Sequence, residues 1–257
     1  MGEVDILGIP FAKVTQDEAL NIMEEWLDSS ENHVIVTPNP EGVMQSRRNE
    51  FFEFALKTVH LRLADGIGIV LASKVINNPL PERVRGVDTI FNLFDRLDAK
   101  GRDFTAYFLG GKPGVAEKAK TRMEEKYPHL KVVGLHHGFF DRHSSEEQEI
   151  IMDINKLRPD ILLVCMGMPR AEIWASRNRW LDTRLTLCLG GTLDIMSGEV
   201  LLAPAFVRKI GMEWLYRLIR EPSRLKRQLD IPRFIWAVLL NSLMEKFGGS
   251  DDAEKPD

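Results

Sequence analysis

Residues 104–127 read FTAYFLGGKPGVAEKAKTRMEEKY. The first eight form an apolar, aromatic run of strand length that stops at two glycines. The rest is a charged stretch with helical composition, and Pro113 stands in its expected first turn, where a helix accepts proline best. Strand, glycine turn and helix make half of a parallel crossover unit, and the pattern recurs on both sides. Downstream, KVVGLHHG predicts a strand and SSEEQEIIMDINKL a helix capped by Ser144 or Ser145. DILLVCMG predicts a strand and PRAEIWASRNRWL a helix, and RLTLCLGG a strand closing on Gly190, Gly191 and Thr192. Upstream, Thr15 and Glu18 form a capping box before Leu20, Met23 and Leu27 at helical spacing. HVIV predicts a strand broken by Pro38 and Pro40, followed by one helix over about 42–57. HLRLADG predicts a second strand, and further helices follow over GIGIVLASKVI and 87–97. Strands alternating with helices of about a dozen residues imply an α/β fold: a Rossmann-like, mostly parallel sheet with helices on both faces.

From about Ala203 only helices are expected, in PAFVRKIGMEWLYRLIRE and SRLKRQLDIPRFIWAVLLNSLMEKF. The expected organisation is an α/β body over 1–202, a C-terminal helical appendage over 203–247 and a disordered tail over 248–257, where apolar residues are scarce. The net charge of −4 is unevenly spread. Between positions 200 and 247 nine Lys/Arg face four acids, a balance of +5 that leaves −9 for the remainder. A basic appendage on an acidic body predicts an anionic partner for the appendage and argues against nucleic acid. No apolar run reaches 18 residues, and the acidic N-terminus lacks the basic region of a signal peptide. Cys165 and Cys188 lie in apolar strands and are expected to be buried, reduced thiols.

In an open parallel sheet, ligands bind beyond the carboxyl ends of the strands. The polar and glycine-rich loops TPNPE, ADGIG, LGGKPG, HHGFFD, MGMPRAE and LGGTLD all fall there. GGKPG matches neither the dinucleotide fingerprint nor a Walker loop. It reads either as a tight turn or as a helix start whose free N–H groups cradle a phosphate. Asp65, inside the apolar run RLADGIGIV, reads as a general base or as a cap of the helix that follows.

Taken together, TPNPE (37–41), ADGIG (64–68), RVRGVD (83–88), FLGGKPG (108–114), GMPRAEIW (167–174), GGTLD (190–194) and EWLYRLIREPSR (213–224) cover nearly the whole chain in order. They resemble the WecG/TagA/CpsF family of bacterial glycosyltransferases, family 26, and its TagA branch in particular. The resemblance implies an inverting enzyme moving N-acetylmannosamine from UDP to undecaprenyl-diphosphate-linked N-acetylglucosamine, the linkage-unit step of wall teichoic acid synthesis. It implies a cytoplasmic enzyme held peripherally on the inner face of the cell membrane. The family's aspartate matches Asp65 as the base. Thr37 and Asn39 match its sugar-binding element, although both residues also bond readily to nearby backbone. Arg83, Gly110, Gly111, Gly114, Glu172, Gly191 and Asp194 are the other substrate-binding candidates. Ala171 departs from the family, which has glutamine just before the glutamate.

No Asp-x-Asp pair is present to hold a metal on a diphosphate. His136, His137, Asp141 and His143 in HHGFFDRH are read as a surface loop. Neither metal nor cofactor is expected, and arginines with helix N-termini are left to stabilise the leaving UDP. Arg217, Arg224 and Arg227 are candidates for the acceptor diphosphate. Nearby Trp and Phe suit a helix lying at an anionic membrane surface, or alternatively a core or homo-oligomer contact. The competing readings are a related UDP-sugar transferase of another surface polysaccharide, an NAD(P)-dependent oxidoreductase, and a non-catalytic UDP-sugar-binding protein.

Overall fold

The computed structural model describes residues 1–204, 206, 207, 211, 213–220 and 225–248, and not the side chains at 213, 217, 220, 226, 227 and 245–248. The 104–127 stretch forms strand β5 (Phe104–Gly110) and helix α6 (Val115–Lys126). The helix begins later than the proline suggests. Gly114 is its N-cap at φ 86°, a left-handed backbone that glycine adopts at little cost, so Pro113 precedes the helix.

The remaining body elements, in chain order, are β1 (Glu3–Ile6), β2 (Ile9–Ala12), α1 (Gln16–Trp26), β3 (His33–Val36), α2 (Pro40–Ser46), α3 (Glu50–Thr58), β4 (Leu61–Arg62), α4 (Ile67–Val75) and α5 (Gly86–Ala99) before β5. After α6 come β6 (Leu130–His136), α7 (Ser145–Leu157), β7 (Ile161–Cys165), α8 (Arg170–Arg177), β8 (Leu185–Cys188) and α9 (Thr192–Met196). Six strands make one sheet in the order β4-β3-β8-β7-β5-β6, every neighbouring pair parallel.

Side chains of a strand alternate between the faces of its sheet. Phe104, Ala106 and Phe108 of β5, with Ile161 and Leu163 of β7, therefore pack with α1, α5, α6 and α9. Tyr107, Leu109, Leu162 and Val164 pack on the opposite face with α2, α3, α4, α7 and α8. Near-continuous apolar strands are what a doubly covered parallel sheet requires. Both cysteines are buried and unpaired, and burial raises the Cys165 thiol to about 12.

Two local features depart from the expectations. The stretch 42–57 is two helices rather than one. Asn49 is extended, and its Oδ1 accepts from Phe52 N at 3.1 Å, so α3 restarts after a cap. The N-terminus, for which no strand is expected, is a β1–β2 hairpin with Leu7 and Gly8 at φ 56° and 89°. Buried Arg62 docks it: Nε donates to Pro10 O at 2.6 Å and a terminal nitrogen to Glu3 Oε1 at 2.5 Å.

Beyond the body lie helices Glu213–Arg220, Leu225–Gln228 and Asp230–Gly248. The last one packs against α2 and α4, burying Phe234 and Val238 in the core it shares with the body. Arg48 beside α2 donates to Asp230 at the helix start. Ile235, Trp236, Leu239 and Met244 stay exposed. No helix among the described residues is long and apolar enough to cross a membrane. The tail beyond 248 lies outside the described residues.

Candidate active site

Parallel strands place all their carboxyl ends on one edge. Loops 63–66, 37–39, 189–191, 166–169, 111–114 and 137–144 stand along that edge in the order of the strands. Two groups of residues converge there.

The first group surrounds Asp65. Helix α4 starts at Ile67 with Gly66 as its N-cap, so Asp65 stands one residue before the cap position. Its Oδ2 accepts, at a long 3.4 Å, from the backbone N–H of Gly86, the first residue of α5. It thus sits at the positive end of a 14-residue helix. A Cβ on Gly86 would lie 2.9 Å from both Thr37 Oγ1 and Leu189 Cδ2. A side chain at position 86 would press on Thr37 and Leu189, so glycine lets loops 37–39 and 189–191 draw in on the start of α5. Asn39 is adjacent, but its Oδ1 accepts from Gly42 N at 2.8 Å as the N-cap of α2. Its backbone-bonding role is therefore filled.

The second group is the glycine loop after β5. A Cβ at Gly110 would lie 2.4 Å from the Cys165 carbonyl oxygen, so the β7 backbone leaves no room for a side chain at this end of β5. Gly111 sits at φ 73°, and Gly114 leaves the start of α6 without a side-chain cap. N–H groups at such a helix start suit an anion. β4 and β5 are four inter-strand spacings apart, roughly 19 Å, so the two groups are separate stations along one edge of the sheet. Loop 166–169 links them: Met166 Cγ lies 3.2 Å from a Cβ built on Gly138, and Met168 reaches α2 at Gly42.

The other candidates are dispersed. Asp194 lies in the first turn of α9, its Oδ2 3.2 Å from a Cβ built on Gly191, between the two groups. Arg83 lines a depression of about 610 Å³ with Gln16, Glu82, Asp88, Phe91 and Lys126, whose lining does not include Asp65. Glu172 is enclosed, only 6% exposed, and its Oε2 has no hydrogen-bond partner among the described residues. Burial pushes its carboxyl up to about 7. Ala171, where the family pattern has glutamine, is fully buried. Arg224 lies outside the described residues, as do the side chains of Arg217 and Arg227. Sequence reasoning passed over Gly86, although RVRGVD contains it. Its only signal is a glycine opening a helix, and the closeness of Thr37 and Leu189 is a tertiary fact.

Residues 4–247 match the model of the glycosyl transferase WecG/TagA/CpsF family. Among curated proteins, an N-acetylglucosaminyldiphosphoundecaprenol N-acetyl-beta-D-mannosaminyltransferase of Bacillus spizizenii is 33% identical over 83% of this chain and 81% of its own. Enzymes of the same name from Bacillus subtilis and Staphylococcus aureus are 29% and 28% identical over 91% and 92% of this chain.

Proposed function

The chain belongs to the glycosyl transferase WecG/TagA/CpsF family, and from that premise we propose that it moves N-acetylmannosamine from UDP to N-acetylglucosamine carried on undecaprenyl diphosphate, as the names of its relatives state for them. The oxidoreductase and non-catalytic readings give way to this one. Asp65 is the base. Its carboxylate takes the proton of the acceptor hydroxyl while that oxygen bonds to the anomeric carbon. The bond from that carbon to the UDP phosphate oxygen breaks, UDP leaves with the electron pair, and the configuration inverts. The observation that carries this reading is the Asp65 carboxylate in a strand-end loop, set against the N-terminus of α5 at Gly86 N.

Thr37 and Asn39, in the loop after the neighbouring strand β3, serve the sugar from beside Asp65. The Gly110–Gly111 loop and the open start of α6 at Gly114 serve the diphosphate, with Gly191 and Asp194 between the two stations. Glu172 is enclosed in the first turn of α8, just after loop 166–169, and Arg83 meets phosphate from the flank of the site. Arg217, Arg224 and Arg227 bind the acceptor diphosphate at the inner face of the membrane, where the exposed Trp236 side of the last helix rests. The chain acts there as a cytoplasmic, peripheral enzyme.

A transfer assay offering a panel of UDP-sugars and a lipid-diphosphate-N-acetylglucosamine acceptor, analysed by mass spectrometry, tests the reading. Addition of one N-acetylhexosamine from UDP-N-acetylmannosamine is the expected product, and it persists in EDTA. Sugar transfer only from a different UDP-sugar would reassign the enzyme within its family.

A further inference from the structure

His136, at the end of β6, His137 after it and Glu146, in the first turn of α7, bring three ligand atoms within 4.8 Å of one another. We propose that these three side chains form a binding site for a divalent transition-metal ion of the zinc type, with its fourth position open to water. This inference does not depend on the function proposed above.

The distances fit that chemistry. A tetrahedral zinc ion with bonds of about 2.0–2.1 Å holds its nitrogen and oxygen ligands roughly 3.3 Å apart. His136 Nε2 lies 3.5 Å and His137 Nε2 3.8 Å from Glu146 Oε1. Small side-chain rotations close the difference. The donor set, two imidazoles and one carboxylate, selects zinc, cobalt or nickel over magnesium or calcium, which prefer all-oxygen shells.

The surroundings orient the ligands. His136 Nδ1–H donates to the His137 carbonyl at 2.9 Å, which leaves the Nε2 lone pair for an ion. His137 Nδ1 accepts from Phe139 N at a long 3.3 Å. Taking the ion on Nε2 moves that ring's proton to Nδ1 and gives this weak bond up. All three side chains are part-exposed, so an ion and its water have access.

The site acts on loop position. Gly138 N, next to the ligands, donates to Gly111 O at 2.9 Å, and Arg170 holds Phe140 O and stacks on its ring 4.8 Å away. An ion at His136, His137 and Glu146 therefore clamps the 137–141 loop onto the glycine loop. It supplies nothing to Asp65, because β4 and β6 are the opposite edges of the sheet, five spacings or roughly 24 Å apart.

The test is equilibrium dialysis of the untagged, metal-stripped chain against Zn²⁺, with metal measured by mass spectrometry and Co²⁺ used as the spectroscopic probe. The expected result is one equivalent of Zn²⁺ per chain, visible Co²⁺ bands of four-coordinate intensity, and a higher melting temperature with the ion. His136→Gln and Glu146→Gln each lower the affinity at least 10-fold, while His143→Gln leaves it unchanged. Circular dichroism verifies that each variant is folded. Failure to take up an equivalent of Zn²⁺, or uptake that persists in a folded His136→Gln/His137→Gln double variant, would overturn the proposal.

Discussion

At Glu172, burial decides protonation. The carboxyl is raised from its ordinary range to about 7 because it leaves water without gaining a partner at Oε2. The folded protein then holds a proton that the unfolded chain has already released, so stability falls as pH rises from the usual carboxylate value to about 7 and levels off above it. The shift corresponds to a loss on the order of 3 kcal/mol. Glu172→Gln cannot ionise, so its melting temperature should exceed the parent's at pH 8 and the gap should close near pH 5; equal profiles at both values would refute the assignment. Single residues were unevenly legible in the sequence. Asp65 stood out because an acid followed by glycines interrupts an apolar run. Asn39 was selected through the family resemblance, and the backbone bond its Oδ1 accepts from Gly42 N as the cap of α2 was one of the two readings open to it. The burial of Glu172 was illegible because Ala171–Ser176 are all enclosed where α8 packs against α3, β3, β7 and β8, a tertiary fact that no residue pattern in PRAEIW shows.

Among elements, strands and helices from 104 to 188 were legible because each strand is covered on both faces and reads as an unbroken apolar run. The β1–β2 hairpin was not, since its turn uses Leu7 at positive φ rather than Asn-Gly, and its docking rests on Arg62, some fifty residues away. The last helix was expected as an appendage, yet Phe234 and Val238 enter the body's core and Asp230 is held by Arg48 and Arg233. Burial alone would raise the Asp230 carboxyl, but hydrogen bonds from both arginines outweigh it and hold it below its usual range. That contribution is present above pH 3.8 and is lost as pH falls through the lower folded value. Asp230→Asn should loosen this helix by about 1–3 kcal/mol, the cost of breaking a largely buried charged hydrogen bond. Hydrogen exchange should then rise across 230–248 while β5 and β7 keep their protection. Unchanged exchange in the helix would show that its apolar contacts suffice.

For the whole molecule, the proposed function joins two stations on one sheet edge with the helices beyond the body. Exposed Ile235, Trp236 and Leu239 on the last helix, with the +5 balance over positions 200–247, suit an anionic membrane surface. Trp236→Glu with Leu239→Glu should weaken sedimentation with anionic vesicles at low salt at least 10-fold while leaving transfer to a short-chain soluble acceptor intact; undiminished vesicle binding would remove this helix from the membrane contact. Arg224→Gln with Arg227→Gln should lower turnover even with the soluble acceptor, and full turnover would exclude those arginines from diphosphate binding. The central claim is that Asp65 is the base. Its most direct test is single-turnover transfer by Asp65→Asn, which keeps the size and polarity of the side chain but cannot take the acceptor proton. With the fold verified by circular dichroism and UDP-sugar binding retained, the rate should fall about 10²–10⁴-fold. A folded Asp65→Asn enzyme transferring sugar at near the parent rate would contradict the account.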